Sequence, residues 1–462
     1  MCNLRATVRP LLLAAAVVIA GCAGSPTSER ATSAEGVVGQ AGVDPSCGTA
    51  ASRAAHADPG EGGPGLRHPL VLVHGAFGFG REELWGYRYW GGIVDLQEEL
   101  RRRGYETFTA AVGPVSSNWD RACELYACLK GGRVDYGEVH SRRYGHERYG
   151  PSYPGLYPRW GTSEPTSGRI RKVHLVGHSL GGQTARVLVQ LLVHGAPEER
   201  ESADGGDLSS LFAGGHDWVA SVTTISTPHD GTTATVRFAP EDRPLELTMG
   251  LLLAAAGTSR SRVYDFKLEQ WGLGRSPESS ALSFRRTVAA SAVWRNLEDT
   301  SLWDASPEGA RELNGWVRAQ PGVFYFSWAT EETYRDPFSG TRVPGWGMNQ
   351  NMIALSSFLG SYLSDDPGKV TIDRSWWPND GLVNTCSMDG PTLGSEDWIV
   401  SYPGPEAGAP QRGVWNYLGV LESIDHLDII GLDPLWREHP RGSRSLVEWY
   451  SDLAEMLIRL PE

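Results

Sequence analysis

Residues 177–181 read Gly177-His178-Ser179-Leu180-Gly181, a serine framed by two glycines. The run before it, Val173-His174-Leu175-Val176, is mostly apolar, and the run after it, Gln183-Thr184-Ala185-Arg186-Val187-Leu188-Val189, is helix-like. Strand, G-x-S-x-G and helix make a nucleophile elbow, the sharp turn that presents a serine oxygen at the top of a sheet. Small residues are needed because helix and strand approach closely there. The chemistry on offer is acyl transfer: the Ser179 oxygen attacks a carbonyl carbon, and water later releases the acyl group.

Such a serine needs a base and an acid that orients it, in the chain order serine, acid, histidine. The later histidines are His194, His216, His229, His426 and His439. His229 comes too early for an acid to precede it, and His439 lies in a polar, Pro-flanked stretch. His426, in Ile424-Asp425-His426-Leu427-Asp428 near the C-terminus, is the expected base. Asp380, in the turn Asn379-Asp380-Gly381, is the expected acid, with Asp373 and Asp389 as competitors. The apolar run Leu70-Val71-Leu72-Val73 opens into His74-Gly75-Ala76-Phe77-Gly78. A loop in that place supplies one oxyanion-hole N–H, from Ala76 or Phe77, and the second donor is the N–H of Leu180.

The elements that must hold these residues follow from the pattern. Strands are expected at 70–73, 107–110, 173–176 and 218–225, with helical stretches between them. That alternation calls for a mostly parallel central sheet with helices on both faces, and the elbow makes it the α/β-hydrolase fold. Hydrophobic residues make up 40% of the 462 and include 17 Trp, ample for one large core. The net charge of −13 speaks against nucleic acid as a partner.

The N-terminus has the features of a targeting segment. Arg5 and Arg9 precede an apolar run at 11–20 that is too short to span a bilayer. It ends in Ile19-Ala20-Gly21-Cys22, which resembles a bacterial lipobox. On that reading residues 1–21 are a signal peptide, Cys22 is lipidated, and the protein is exported and held at the outer face of the cell membrane; otherwise it is secreted. Residues 22–65, rich in Gly, Ala, Ser and Pro and lacking aromatics, form a flexible tether. The catalytic domain covers 66–462. Cys47, Cys123, Cys128 and Cys386 remain, in an oxidising location that permits disulfides. Four cysteines allow three pairings. Cys123 and Cys128 are five apart in an expected helix, too distant along it for a bridge.

Longer runs carry a family likeness. They include Tyr89-Trp90-Gly91-Gly92, residues 113–124 from Gly113-Pro114 to Cys123-Glu124, Val134-Asp135-Tyr136-Gly137, residues 226–233 from Ser226-Thr227-Pro228-His229 onward, Val263-Tyr264-Asp265-Phe266-Lys267-Leu268 and Asp425-His426-Leu427. Together they resemble the thermoalkalophilic bacillary and staphylococcal lipases. The resemblance implies a triacylglycerol lipase working at an oil–water or membrane interface, with a mobile lid, a zinc site and a calcium site. It places the nucleophile on Ser179, the acid on Asp380 and the base on His426. It maps zinc onto Asp120, His140, His146 and Asp299, although Glu298 competes with its neighbour. It maps calcium onto Asp428, Asp433 and the carbonyls of Gly347 and Pro434, with Asp428 in place of a longer Glu. Ala76 stands where the family usually has Phe, which reduces the acyl-pocket wall. The lid falls between Thr233 and Val263, where Leu245, Met249, Leu252, Ala255 and Ala256 have helical spacing. A short-chain carboxylesterase or phospholipase would share the same triad, whereas the complete triad disfavours an inactive binding module.

Overall fold

The computed structural model describes residues 68–202, 208–238, 257–258, 261–262, 264–274, 280–291, 293, 297–432 and 445–461. The expected signal peptide, tether, lid residues 245–256 and calcium ligands Asp433 and Pro434 lie outside the described residues.

Seven parallel strands form the central sheet: β1 (Leu70–Val73), β2 (Thr107–Ala110), β3 (Val173–His178), β4 (Val219–Ile225), β5 (Phe324–Glu331), β6 (Ile399–Ser401) and β7 (Trp415–Glu422). Their spatial order is β6-β7-β5-β4-β3-β1-β2. The four strands expected from apolar runs are all present, and the fourth begins at Val219 rather than residue 218. The other three strands, β5 to β7, complete one half of the sheet.

Side-chain alternation splits the core in two. Leu70 and Leu72 of β1, with Phe324 and Phe326 of β5, pack on one face against helices α1 (Leu96–Arg102) and α5 (Leu446–Ile458). Val71 and Val73, with Tyr325, pack on the other against α2 (Asn118–Lys130) and α4 (Leu180–His194). Both faces of the sheet are covered, which accounts for the continuous apolar reading of β1. A short helix, α3 (Glu138–Tyr144), lies beside a two-stranded hairpin formed by residues 132–135 and 149–153.

Cys123 and Cys128 both sit on α2, as expected. Cys128 is disulfide-bonded, and its partner is neither Cys123 nor Cys386, because both are free. Among the described residues no helix is long and apolar enough to cross a membrane.

Candidate active site and metal centre

β3 ends at His178, and α4 starts at Leu180. Ser179 between them has φ +55 and ψ −133, a conformation that is costly for a residue with a Cβ. Its N–H is tied to the Ile225 carbonyl at 2.9 Å. The glycines are enforced by contact. A Cβ on Gly181 would stand 2.2 Å from the Val73 carbonyl oxygen, and one on Gly75 would stand 2.6 Å from the Ser179 Cβ. The serine is therefore carried on a strained, tightly packed turn at the C-terminal edge of the sheet.

Asp380 and His426 come together from loops after β5 and β7. His426 Nδ1 lies 2.7 Å from Asp380 Oδ2, and the His426 N–H donates to the Asp380 carbonyl at 2.9 Å. Asp380 is fully buried. Its Oδ1 accepts the N–H groups of Leu382 (3.1 Å) and Val383 (2.8 Å), and its Oδ2 also accepts the Thr330 hydroxyl (2.7 Å). A carboxylate with this many donors is held in one orientation. The competing residues serve elsewhere. Asp373 is exposed and accepts hydrogen bonds from the N–H and hydroxyl of Ser375. Asp389 is half-buried, and burial pushes its carboxyl up to about 6. His229 is buried between Thr224 and Arg186 and packs edge-on to Trp415.

The loop after β1 is held from below. Arg121, fully buried on α2, donates to the carbonyls of His74 (2.5 Å) and Gly113 (2.6 Å) and to the Thr184 hydroxyl (2.8 Å). Burial lowers its guanidinium to about 10, still charged at neutral pH. The Val112 N–H donates to His74 Nε2, so Nδ1 carries the ring proton and donates to the Gly75 carbonyl. Burial drives His74 down to about 3, which fixes it as the neutral tautomer. Of the two expected oxyanion donors, Phe77 is eliminated, because its N–H is taken by the Pro114 carbonyl at 2.9 Å. Ala76 is left as the candidate, with Leu180 at the N-terminus of α4 as its companion.

The second cluster joins α2, α3 and a distant turn. Asp120, His140, His146 and Asp299 each offer a ligand atom, and these atoms lie within 4.8 Å of one another. His140 Nε2 is 3.2 Å from Asp120 Oδ1 and from Asp299 Oδ1, and His146 Nε2 is 3.2 Å from Asp299 Oδ2. Five polar atoms here are buried without a hydrogen-bond partner: Asp120 Oδ1, both imidazole Nε2 atoms and both Asp299 oxygens. Bonds of about 2.0–2.1 Å to a tetrahedral ion would separate ligands by about 3.4 Å, close to these spacings. His146 Nδ1 donates to the Glu147 carbonyl at 2.9 Å, which turns its Nε2 lone pair toward the cluster. Trp119 stacks on His140 with ring centroids 5.0 Å apart, and Gln270 donates to Asp120 Oδ2. Asp299 is the buried member and Glu298 is exposed, so the competition between them is resolved for Asp299. The donor set fits a metal ion.

Of the expected calcium ligands, Gly347 and Asp428 fall within the described residues, and Asp433 and Pro434 do not. The Gly347 N–H donates to Glu332 Oε1 at 2.9 Å, and Asp428 Oδ2 accepts the Asp425 N–H at 3.0 Å. Asp425 was not singled out from the sequence, yet it organises the His426 loop. Its Oδ1 accepts the Leu427 and Asp428 N–H groups, and its Oδ2 accepts that of Asn349. Burial raises its carboxyl to about 7. Arg121, Tyr89 and His178 were likewise missed as contributors to the site. Their signal was present only as positions inside longer motifs.

Comparison with known proteins agrees with this architecture. The lipase from Staphylococcus hyicus is 35% identical over 404 residues, 86% of this chain and 58% of that protein, so the chain spans little more than half the length of that curated relative. The solved S. hyicus lipase superposes with a TM-score of 0.73 at 34% identity, covering 87% of this chain and 98% of that one. EstA from Clostridium botulinum superposes with a TM-score of 0.75 at 44% identity, covering 86% of this chain and 88% of that one. Lipase 1 from Pelosinus fermentans superposes with a TM-score of 0.73 at 46% identity, covering 86% of this chain and all of that one. The family model described as "Lipase-like, C-terminal domain" matches residues 66–462. A likeness that takes in the elbow, the acid and histidine loops and the whole seven-stranded sheet makes this chain a member of that lipase-like family.

Proposed function

We propose that this chain is a lipase that cleaves carboxylic esters of acylglycerols through an acyl-enzyme on Ser179. The observation that carries the reading is the Asp380–His426 pair at 2.7 Å, assembled beside the strained Ser179 turn. The polar chemistry follows from that arrangement. His426, held by Asp380 through Nδ1, takes the Ser179 proton on Nε2 as Oγ attacks the ester carbonyl. Asp380 stabilises the imidazolium that forms. The N–H groups of Ala76 and Leu180 stabilise the oxyanion, each worth about 3 kcal/mol. His426 then protonates the departing alcohol and activates the water that releases the fatty acid.

The test is a series of p-nitrophenyl esters from acetate to palmitate, with emulsified triolein beside them. A lipase hydrolyses triolein and retains activity on long chains. Activity confined to acetate and butyrate would assign a short-chain carboxylesterase instead.

The metal reading is finer. Asp120, His140, His146 and Asp299 suit zinc, a borderline ion that takes imidazole and carboxylate in a closed, four-ligand site. When bound there it supplies a structural crosslink between α2, α3 and the 297–299 turn. Calcium is proposed at Gly347, Asp428, Asp433 and Pro434, the last three on the chain that follows His426. Elemental analysis after dialysis checks both; active protein without zinc would overturn the zinc assignment. Lipidation at Cys22, with retention at the outer face of the cell membrane, is checked by mass spectrometry of the mature N-terminus. A terminus other than acylated Cys22 would contradict it.

A further inference from the structure

A chain of hydrogen bonds runs beneath the nucleophile and joins three loops of the site. Tyr89 comes from the segment between β1 and α1 and is 5% exposed, and its hydroxyl lies 3.0 Å from the Gly75 nitrogen and 2.7 Å from His178 Nδ1. His178, the last residue of β3, places its Nε2 3.0 Å from the His426 carbonyl oxygen. These three contacts span 14, 89 and 248 positions of sequence.

The direction of each bond is fixed. The His426 carbonyl only accepts, so His178 carries its ring proton on Nε2. Burial, and then the neighbouring His426, hold His178 well below the usual histidine range, so the ring is neutral and its Nδ1 accepts. Tyr89 therefore donates its proton to Nδ1, and its oxygen is left to accept the Gly75 N–H. Each ring nitrogen of His178 makes one bond, and the Tyr89 hydroxyl both donates and accepts. An imidazole buried beneath the nucleophile loses its hydration and is tolerated only when both nitrogens are matched in this way.

Each end of the chain abuts a reacting group. Gly75 precedes Ala76, the candidate oxyanion donor, and packs against the Ser179 Cβ. His178 precedes Ser179 itself. The His426 backbone is gripped on both sides, its N–H by the Asp380 carbonyl and its carbonyl by His178. Ring packing stiffens the arrangement: Tyr89 meets Phe79 and Trp90 edge-on at 5.7 and 5.5 Å, and the His178 and His426 rings are 4.6 Å apart.

We propose that Tyr89 and His178 are positioning residues that hold the oxyanion loop and the His426 backbone in register with Ser179. The proposal rests on the ester-hydrolase reading of Ser179. Misplacement of reacting groups by a fraction of an ångström lowers the rate of the chemical step and leaves ground-state binding nearly unchanged.

The experiment uses full-length protein and p-nitrophenyl butyrate, with active sites counted by phosphonate titration. Tyr89→Phe removes one oxygen from a buried ring and is expected to lower kcat about tenfold to a hundredfold, with KM changed less than about twofold. His178→Met should show the same loss, whereas His178→Gln, which restores an N–H toward the His426 carbonyl, should recover most of it. Wild-type kcat in Tyr89→Phe would overturn the proposal. So would equal losses in His178→Gln and His178→Met once rates are divided by titrated sites. If His178→Met does not fold, Tyr89→Phe decides alone. Ser179→Ala separates the two levels: hydrolysis retained in it would overturn the ester-hydrolase reading, whereas its loss beside an unaffected Tyr89→Phe would overturn only the positioning role.

Discussion

Aspartate and histidine meet at two places in this molecule, and the two meetings are opposite in kind. At Asp380 and His426 the carboxylate accepts two backbone N–H groups, one hydroxyl and one imidazole. That centre is complete in protein groups alone. At Asp120, His140, His146 and Asp299 the same residue types aim lone pairs at one another, and five buried atoms have no hydrogen-bond partner. A satisfied carboxylate–imidazole pair holds a proton acceptor in a set orientation. A ring of lone pairs facing one another suits a cation. Residue identity does not separate the candidate catalytic pair from the candidate metal group here; hydrogen-bond satisfaction does.

The same substitution in the two regions should therefore fail differently. Asp380→Asn is expected to lower kcat by about 10⁴, because the amide cannot hold the reactive tautomer of His426, with little change in thermal stability. Asp120→Asn is expected to lose the bound metal and lower the thermal midpoint by about 5 °C, the share of a site filled to about a thousand times its dissociation constant in a domain this large. Its folded fraction should keep most of its kcat at low temperature. Steady-state kinetics, metal content and thermal denaturation of both variants break the comparison if the two patterns are exchanged or alike.

A smaller effect probes how completely the proposed catalytic carboxylate is satisfied. Thr330→Val removes the hydroxyl donated to Asp380 Oδ2. It should cost about 1–2 kcal/mol of stability and lower kcat about three- to tenfold, as measured by urea unfolding and ester hydrolysis. An unchanged kcat would show that the remaining donors suffice to orient Asp380.

An effect on acid stability alone concerns a histidine belonging to neither centre. His174 lies in β3 with its Nδ1 2.8 Å from the Ser221 hydroxyl, and burial drives it down to about 3. The unfolded chain binds a proton there below about 6.5, which the folded chain refuses until about pH 3. Stability from this group is thus present above pH 6.5 and lost as pH falls toward 3, with a slope of up to about 1.4 kcal/mol per pH unit. His174→Gln should flatten the acid limb of urea midpoints between pH 7 and pH 4 by that one-proton share. An unaltered limb would remove His174 from the acid sensitivity of the fold.

Much of the candidate catalytic centre was legible in the sequence because its signals are local. The elbow is one contiguous run, Asp380 sits in an Asn379-Asp380-Gly381 turn, and chain order alone favours His426. Apolar runs gave β1 to β4. The aromatic strands β5 and β7 carry Ser, Asn and Glu among their aromatic residues and lack that continuous signature. The choice between Ala76 and Phe77 needed the Pro114 carbonyl, a contact no spacing reveals. Tyr89, Arg121, His178 and Asp425 act through bonds to residues distant in sequence, or through a turn whose geometry forms only when the loops pack. The candidate metal ligands, drawn from 120, 140, 146 and 299, have no spacing of their own and were reached only through family likeness.

The most direct measurement is covalent labelling with a p-nitrophenyl phosphonate, followed by peptide mass spectrometry. The account predicts one phosphonyl group per chain, carried by Ser179, release of one nitrophenolate per chain, and ester hydrolysis that falls in proportion to labelling. Label on another residue, or full hydrolytic activity in a stoichiometrically labelled or Ser179→Ala protein, would contradict it.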